Sequence, residues 1–385
     1  MKVAVIGIGT AGLQTLAYFM KTLDDDIEVY SIHDPEQKIL GIGESTTTFL
    51  PHILAQACDF RMLDDGPALD ATTKHGVKYK NWRDNDFHNQ FIPPYHAIHF
   101  NNFKLSELVL GRLRNKKGFF EIHGAIESIK QTDTHVNLLI DGTEHKFDYI
   151  IDCMGYPDDY SDYELKDDLP VNHAIVNAID KPGDWNYTYH QATRNGWMFG
   201  IPLATRQGWG YLFNDKITSV EEAKEDMQTL FDDPIQVRDF SWKNYYKKNT
   251  IDGRIISNGN RALFFEPLEA LSGSYYEAVA VEAANVIMGD STADVANASL
   301  RHTAEVYCAF IYFVYHGGST FDSEFWKITV DKTTKALHNS NVFQNVKSMM
   351  QLLKTNGIDD PRIIFKPLSI ELWSLVDKKM GYNYF

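Results

Sequence analysis

Residues 3–12 read VAVIGIGTAG, a short apolar run rich in β-branched residues that breaks into glycines at Gly7, Gly9 and Gly12. Leu16, Phe19, Met20 and Leu23 then recur at helical spacing. The reading is strand, glycine turn, helix. Each glycine has its own task in such a turn: Gly7 permits the tight bend, Gly9 lets the backbone approach a pyrophosphate, and Gly12 lets the helix pack closely on the strand. Thr10 and Ala11 open a helix whose N-terminus would face the phosphates. A bare GxGxxG carries little weight, but the strand before it and the helix after it predict dinucleotide binding.

Working outward, a second strand is expected over Ile27–Ile32. An acidic residue near its end would bond the adenosine ribose, and Asp34 stands about there, with Ser31 and His33 as alternatives. Asp34 before Pro35 is equally a turn start. Strand patterns return at Phe147–Cys153, stopping at Met154-Gly155, and at Ile255–Ser257, running into Asn258-Gly259. The nucleotide-binding domain is therefore expected to be discontinuous, over 1–50, 100–160 and 251–290. Residues 51–99 and 161–250 are assigned to a mixed β-sheet substrate domain, and 291–385 to a helical C-terminal region.

Charge and composition narrow the function. The 385 residues carry 37 basic and 52 acidic side chains, a net charge of −15. That balance repels phosphate backbones and anionic membranes, so neither nucleic acid nor a membrane is an expected partner. Cys58, Cys153 and Cys308 form no CxxC, which predicts no metal site and a reducing compartment. With no apolar run of about 18 residues and no leader pattern, the expectation is a cytoplasmic protein. A homodimer is left open.

One further stretch, RNGWMFGIPL at 194–203, places Trp197, Phe199 and Ile201 two apart, so that in a strand they share one face. Pro202, which cannot donate to a ladder, ends the run. Read alone, this wall is core.

Taken together, five pieces in order resemble the flavin-dependent halogenases of the tryptophan-halogenase family: GIGTAG at 7–12, GIGEST at 41–46, Lys74 ahead of VKYKNWR at 77–83, GWMFGIP at 196–202, and EPLE at 266–269. Weaker likeness extends through 99–113, 147–156 and 310–327. The resemblance implies an α/β, FAD-binding Rossmann-like fold of the two-dinucleotide-binding-domain flavoprotein type, with a mixed β-sheet substrate domain and a helical C-terminal part. It also implies an activity: reduced FAD, O2 and halide generate hypohalous acid, delivered through Lys74 to an electron-rich aromatic substrate, indole-like, tryptophan-like or phenolic.

The family's site residues carry over by position. Beside Lys78 and Lys80, Lys74 alone would read as a solvated lysine; the resemblance makes it the catalytic lysine. At an ordinary pKa of about 10.4 roughly one such lysine in 2,500 is neutral at pH 7, and a desolvation shift of about three units would raise that to roughly a quarter. Hydrogen-bond donor and haloamine-forming nucleophile are therefore both open. Glu269 aligns with the glutamate that stabilises a cationic arene, though a helix N-terminal acid is an equal reading. Gly43, Glu44, Ser45 and Thr46 would wrap the flavin, with Gly155, Gly259 and Leu268 also at the cofactor. Trp197, Phe199, Ile201 and Pro202 become a partition between flavin and substrate, with Phe199 where the family has a second tryptophan. Ser272 and Gly273 would hold halide, one residue later than the family's Ser-Thr-Gly.

No second glycine fingerprint for a nicotinamide appears, so a separate flavin reductase is expected to supply reduced FAD. Two competing readings are a hydroxylating flavin monooxygenase and a non-catalytic flavin-binding protein.

Overall fold

The computed structural model describes residues 1–37, 44–83, 86–91, 93–356, 368, 370–382 and 384. The chain divides into two compact units: Met1–Thr73, Ala97–Leu165 and Tyr245–Arg301 form one, and Lys74–His96, Lys166–Asn244 and His302–Phe385 form the other.

In the first unit the run that follows Met1 becomes the strand Lys2–Ile6, with Val3, Ala4 and Val5 fully buried. An all-apolar strand of this kind belongs inside a parallel sheet covered on both faces. It pairs in parallel with Glu28–His33 on one side and Tyr149–Asp152 on the other. The six-stranded sheet is completed by Phe119–His123 beyond Glu28–His33, and by Ile255–Ser257 and Ile251–Asp252 beyond Tyr149–Asp152. Because the connections leave Lys2–Ile6 in opposite directions, its C-terminal end is the switch point where doubly wound sheets bind ligands. One face is covered by the antiparallel strands Ile126–Gln131, Val136–Ile140 and Thr143–Phe147, whose Val136, Leu138 and Ile140 join Ala4, Ile6 and Ile32 in one core. The helix Thr10–Thr22 packs against the sheet and against Phe49–Cys58, Asn102–Leu113 and Leu271–Met288.

Expectation and structure differ at 147–153. The sequence pattern suggests one strand, but Phe147 closes a hairpin and Tyr149–Asp152 starts the parallel strand. Asp148 makes the junction: its N–H donates to the Lys2 carbonyl (2.8 Å) and its Oδ2 accepts from the Lys2 N–H (2.7 Å). Two apolar runs separated by one polar residue carry no break that periodicity can see.

The Leu271–Met288 helix also carries Glu277, whose carboxyl is raised to about 7 by burial. A carboxyl with a raised folded-state pKa holds its proton more tightly when folded, so its contribution is intact below the unfolded value and lost as pH rises through about 7. Glu277→Gln does not titrate. Its stability advantage over the native chain is expected to grow from nil near pH 4 to about 2 kcal/mol above pH 8, allowing for partial exposure. Denaturant melts at pH 5 and pH 8 check this; an equal advantage at both would refute it.

In the second unit a seven-stranded sheet runs in the order Arg238–Ser241, His173–Ile179, Gln207–Phe213, Trp197–Pro202, Thr188–Ala192, Gly76–Lys80, Phe87–Gln90. It is mixed: Thr188–Ala192 is parallel to Gly76–Lys80, while the other pairings are antiparallel. Alternation sorts its faces. Met198, Tyr211, Phe213 and Ile175 point to one side and form a core with the Val220–Gln228 helix, which starts with a Ser219/Glu222 capping box. Trp197, Phe199 and Ile201 point to the other. Beyond Asp290 lie the helices Ala293–Tyr315, Glu324–Asn339, Asn341–Asn356 and Ile370–Met380. The expected α/β class with a mixed sheet and a helical C-terminal region is what the chain adopts.

Candidate functional site

The glycine turn follows the strand Lys2–Ile6 directly. Gly7 has φ +94°, and a Cβ there would stand 2.8 Å from the Cys153 carbonyl oxygen. At Gly12 a Cβ would collide with the Gly7 carbonyl. Gly9 differs, with nothing within 4 Å of where its Cβ would be. Two glycines are thus required by protein packing, and the third faces open space, as a backbone that admits a ligand should. Gly9 is also the N-cap of Thr10–Thr22, with no side-chain cap and no acidic residue in the first turn. The positive end of that helix is left for an anion.

Two other strand ends meet this turn. Asn258, after Ile255–Ser257, donates from Nδ2 to Thr15 Oγ1 (3.0 Å) and to the Tyr276 carbonyl (3.1 Å), and its Oδ1 accepts from the Gly259 N–H (2.7 Å). Gly259 has φ +64°, and a Cβ there would lie 2.9 Å from that of Ala11. Thr10 Oγ1 donates to Asn102 Oδ1 at 2.9 Å. Past Tyr149–Asp152, Gly155 has φ +83° with open space around it, and Asp152 lies 3.4 Å from Arg261. Sequence reasoning passed over Asn258 and Arg261, although an Asn before a Gly after a strand was a readable turn signal. Asp34 begins a turn, its Oδ1 accepting from the Glu36 N–H (2.9 Å).

Gly43 lies outside the described residues. Its neighbours Glu44 and Thr46 are buried. The Glu44 carbonyl accepts from the Phe100 N–H (3.0 Å), Ser45 bridges His99, and Thr46 Oγ1 donates to the Ile98 carbonyl while accepting from its N–H, both at 3.0 Å. Thr46 therefore fixes this segment with its hydroxyl. Further on, Leu268 is fully buried, and Glu269 and Ala270 adopt successive left-handed conformations, φ 60° and 56°. Glu269 thus precedes the helix instead of capping it. Such strain in residues other than glycine concentrates at working sites. Ser272 and Gly273 form the first turn of Leu271–Met288; Ser272 Oγ bonds the Phe265 backbone, and the space around Gly273 is open.

Within the second unit, Lys74 is only 2% exposed, and its Nζ lies 5.6 Å from the centroid of the Phe91 ring. This is not the solvated lysine its neighbours suggest. On the sheet, Trp197 is fully buried and Ile201 nearly so, while Phe199 is half-buried and lies over Gly210, where a Cβ would strike its ring. Pro202 ends the strand opposite Gln207. Trp197 packs edge-on to Trp82 at 6.2 Å and to His190 at 4.7 Å. The wall is real packing and also one continuous aromatic face. Among the described residues no group of His, Cys, Asp or Glu could hold a metal ion, and no helix is long and apolar enough to cross a membrane.

The first unit thus carries a doubly wound sheet ending in a glycine turn with an uncapped helix N-terminus, and the second a mixed sheet faced with aromatics and a buried lysine. The sequence profile of the tryptophan halogenase family matches residues 2–95 and 88–357, and the chain belongs to that family. It is similar to the 7-chloro-L-tryptophan 6-halogenase KtzR of Kutzneria sp. (strain 744), 20% identical over 429 residues, covering 84% of this chain and 81% of that one. Tryptophan 7-halogenase RebH of Lentzea aerocolonigenes is 20% identical over 363 residues, 71% of this chain and 67% of its own. Among solved structures, BrvH, a flavin-dependent halogenase from Brevundimonas sp. BAL3, superposes with a TM-score of 0.80 at 20% identity, over 99% of this chain and 90% of that one. Family membership implies use of FAD and halide.

Proposed function

We propose that this chain halogenates an electron-rich aromatic compound, with Lys74 directing the halogen. The observation that carries this reading is the burial of Lys74 beside the Phe91 ring in a chain of the halogenase family. FAD, reduced by a separate reductase and supplied with O2, provides the oxidising power that turns halide into hypohalous acid. The chain's part is to hold that cofactor and to aim the product. Gly7, Gly9 and Gly12, with the helix end at Thr10 and Ala11, would seat the pyrophosphate; Asp34 would take the ribose; Glu44, Ser45, Thr46, Gly155, Gly259 and Leu268 would bound the rest. Ser272 and Gly273 present a helix N-terminus suited to halide.

Lys74 would donate a hydrogen bond to the oxygen of hypohalous acid, a role that the facing Phe91 ring favours by stabilising the ammonium. The carbon–halogen bond forms as the oxygen–halogen bond breaks. The departing hydroxide takes a proton from Lys74 and leaves as water, and the ring carbon's proton restores the ammonium. Glu269 supplies the negative charge that stabilises the cationic ring. Trp197, Phe199, Ile201 and Pro202 would keep substrate from the flavin.

The test is a product assay with chemically reduced FAD, O2, a panel of indoles and phenols, and chloride, bromide or iodide in separate tubes, read by mass spectrometry. A halogen isotope pattern is the expected result. Oxygenated product without halogen would favour a monooxygenase, and FAD binding without product from any tube would favour the non-catalytic reading.

A further inference from the structure

The strand Glu28–His33 ends level with the glycine turn: the Gly7 N–H donates to the Ile32 carbonyl at 2.8 Å, which puts His33 directly beside that turn. Alternation sorts its side chain. Ile32 joins Ala4 and Ile6 in the core shared with the antiparallel layer, so Ser31 and His33 take the opposite face of the sheet. Ser31 is fully buried and out of a ligand's reach, whereas His33 is half-buried. The His33 ring meets that of His123, its register partner on Phe119–His123, with centroids 4.6 Å apart.

Nucleotide-binding sheets of this kind place an acid about 20 residues past the glycines, and at that point this chain has an imidazole. Asp34 comes next, but its Oδ1 already accepts from the Glu36 N–H. One carboxylate oxygen is left to meet a ribose that presents two hydroxyls. His33 has the complementary need, because its Nδ1 is buried and has no hydrogen-bond partner. An orphaned buried nitrogen is rare and costly, and beside a cofactor turn a ligand hydroxyl is the group that relieves it.

We infer that His33 is a cofactor-binding residue that takes one hydroxyl of the adenosine ribose of FAD, while Asp34 takes the other. A neutral imidazole offers one N–H and one lone pair, which matches a hydroxyl, itself both donor and acceptor. The ring is neutral because burial, and after it the facing His123, hold its pKa below the ordinary range; Glu121, the Arg114 paired with it, and Asp34 are the other charges that act on it. His123 is tethered in turn, its Nε2 3.6 Å from Glu121. The inference rests on the reading of the glycine turn as the seat of FAD, and it is tested without turnover.

Binding of FAD, FMN, ADP, 2′-deoxy-ADP and 3′-deoxy-ADP to the full flavin-free chain is measured by calorimetry. The native chain is expected to bind ADP at least about fivefold more tightly than either deoxy analogue, the usual worth of one lost hydrogen bond. His33→Phe keeps a ring against His123 and removes both nitrogens. It is expected to bind FAD and ADP at least about fivefold more weakly and to lose the preference over one deoxy analogue, with FMN, which lacks the adenosine, bound as before. His33→Gln, whose amide can also donate and accept, is expected to restore that preference to within about twofold. If His33→Phe weakens every nucleotide by one common factor and keeps both preferences, His33 only supports the strand and the inference is overturned. Equal binding of ADP and both deoxy analogues by the native chain overturns it as well. A folded native chain that binds neither FAD nor ADP removes the cofactor site and this assignment with it, whereas ribose preference without any halogenated product would sink the functional reading and leave His33 at the ribose.

Discussion

Lys74→Met is expected to lower halogenated product by about a thousandfold or more, while FAD affinity and O2 consumption stay within about twofold of the native chain. The size follows from the role. A positioned proton donor contributes roughly 10²–10⁴ in rate, and here loss of aim adds to loss of the donor, because hypohalous acid without a guide reacts with whatever it meets. Folding should survive, since methionine fills a similar volume. Glu269→Gln makes the contrast. It keeps shape and loses charge, so it is expected to cost about ten- to a hundredfold, less than loss of the lysine. Normal halogenation by Lys74→Met would end the assignment of this residue, whatever the variant's stability.

What the sequence makes legible follows from what each residue must do. Gly12 is readable because only glycine fits where a Cβ would meet the Gly7 carbonyl, a demand set inside the turn, and Gly7 because its φ of +94° is a backbone demand of the same turn. The Trp197–Pro202 strand is readable for the same reason, since alternation is a property of neighbouring residues. Lys74 is not readable from its surroundings. It shares spacing with Lys78 and Lys80, yet it is buried at the end of a short strand, Thr72–Lys74, distinct from the strand Gly76–Lys80 that begins at the positive-φ Gly76 (φ +151°). Only the resemblance to the halogenases singled it out. His190 left no trace at all, because a histidine in an alternating strand becomes notable only when its neighbours across the sheet are known. Glu269 in a left-handed turn was likewise hidden, since glycine or asparagine is what sequence patterns place there.

Gly9 and Gly12 allow the cofactor turn to be tested with stability and binding pulled in opposite directions. Gly9 is an N-cap with φ −68° and ψ 176°, an extended geometry that aspartate adopts without strain. Gly9→Asp should therefore leave the thermal midpoint of the flavin-free chain unchanged or slightly raised, because aspartate is a better N-cap than glycine and its charge suits the helix dipole. The same carboxylate would stand where the pyrophosphate is to bind and repel it. FAD affinity, read by quenching of flavin fluorescence, is expected to fall at least a hundredfold, about 2.7 kcal/mol. Gly12→Ala reverses the pattern. Its methyl collides with the Gly7 carbonyl, so the cost falls first on folding, at about 1–3 kcal/mol, and weaker FAD binding follows from the displaced helix. If Gly9→Asp folds normally and still binds FAD as tightly as the native chain, the open space at Gly9 is not the pyrophosphate cradle, and the cofactor must be sought away from the first helix.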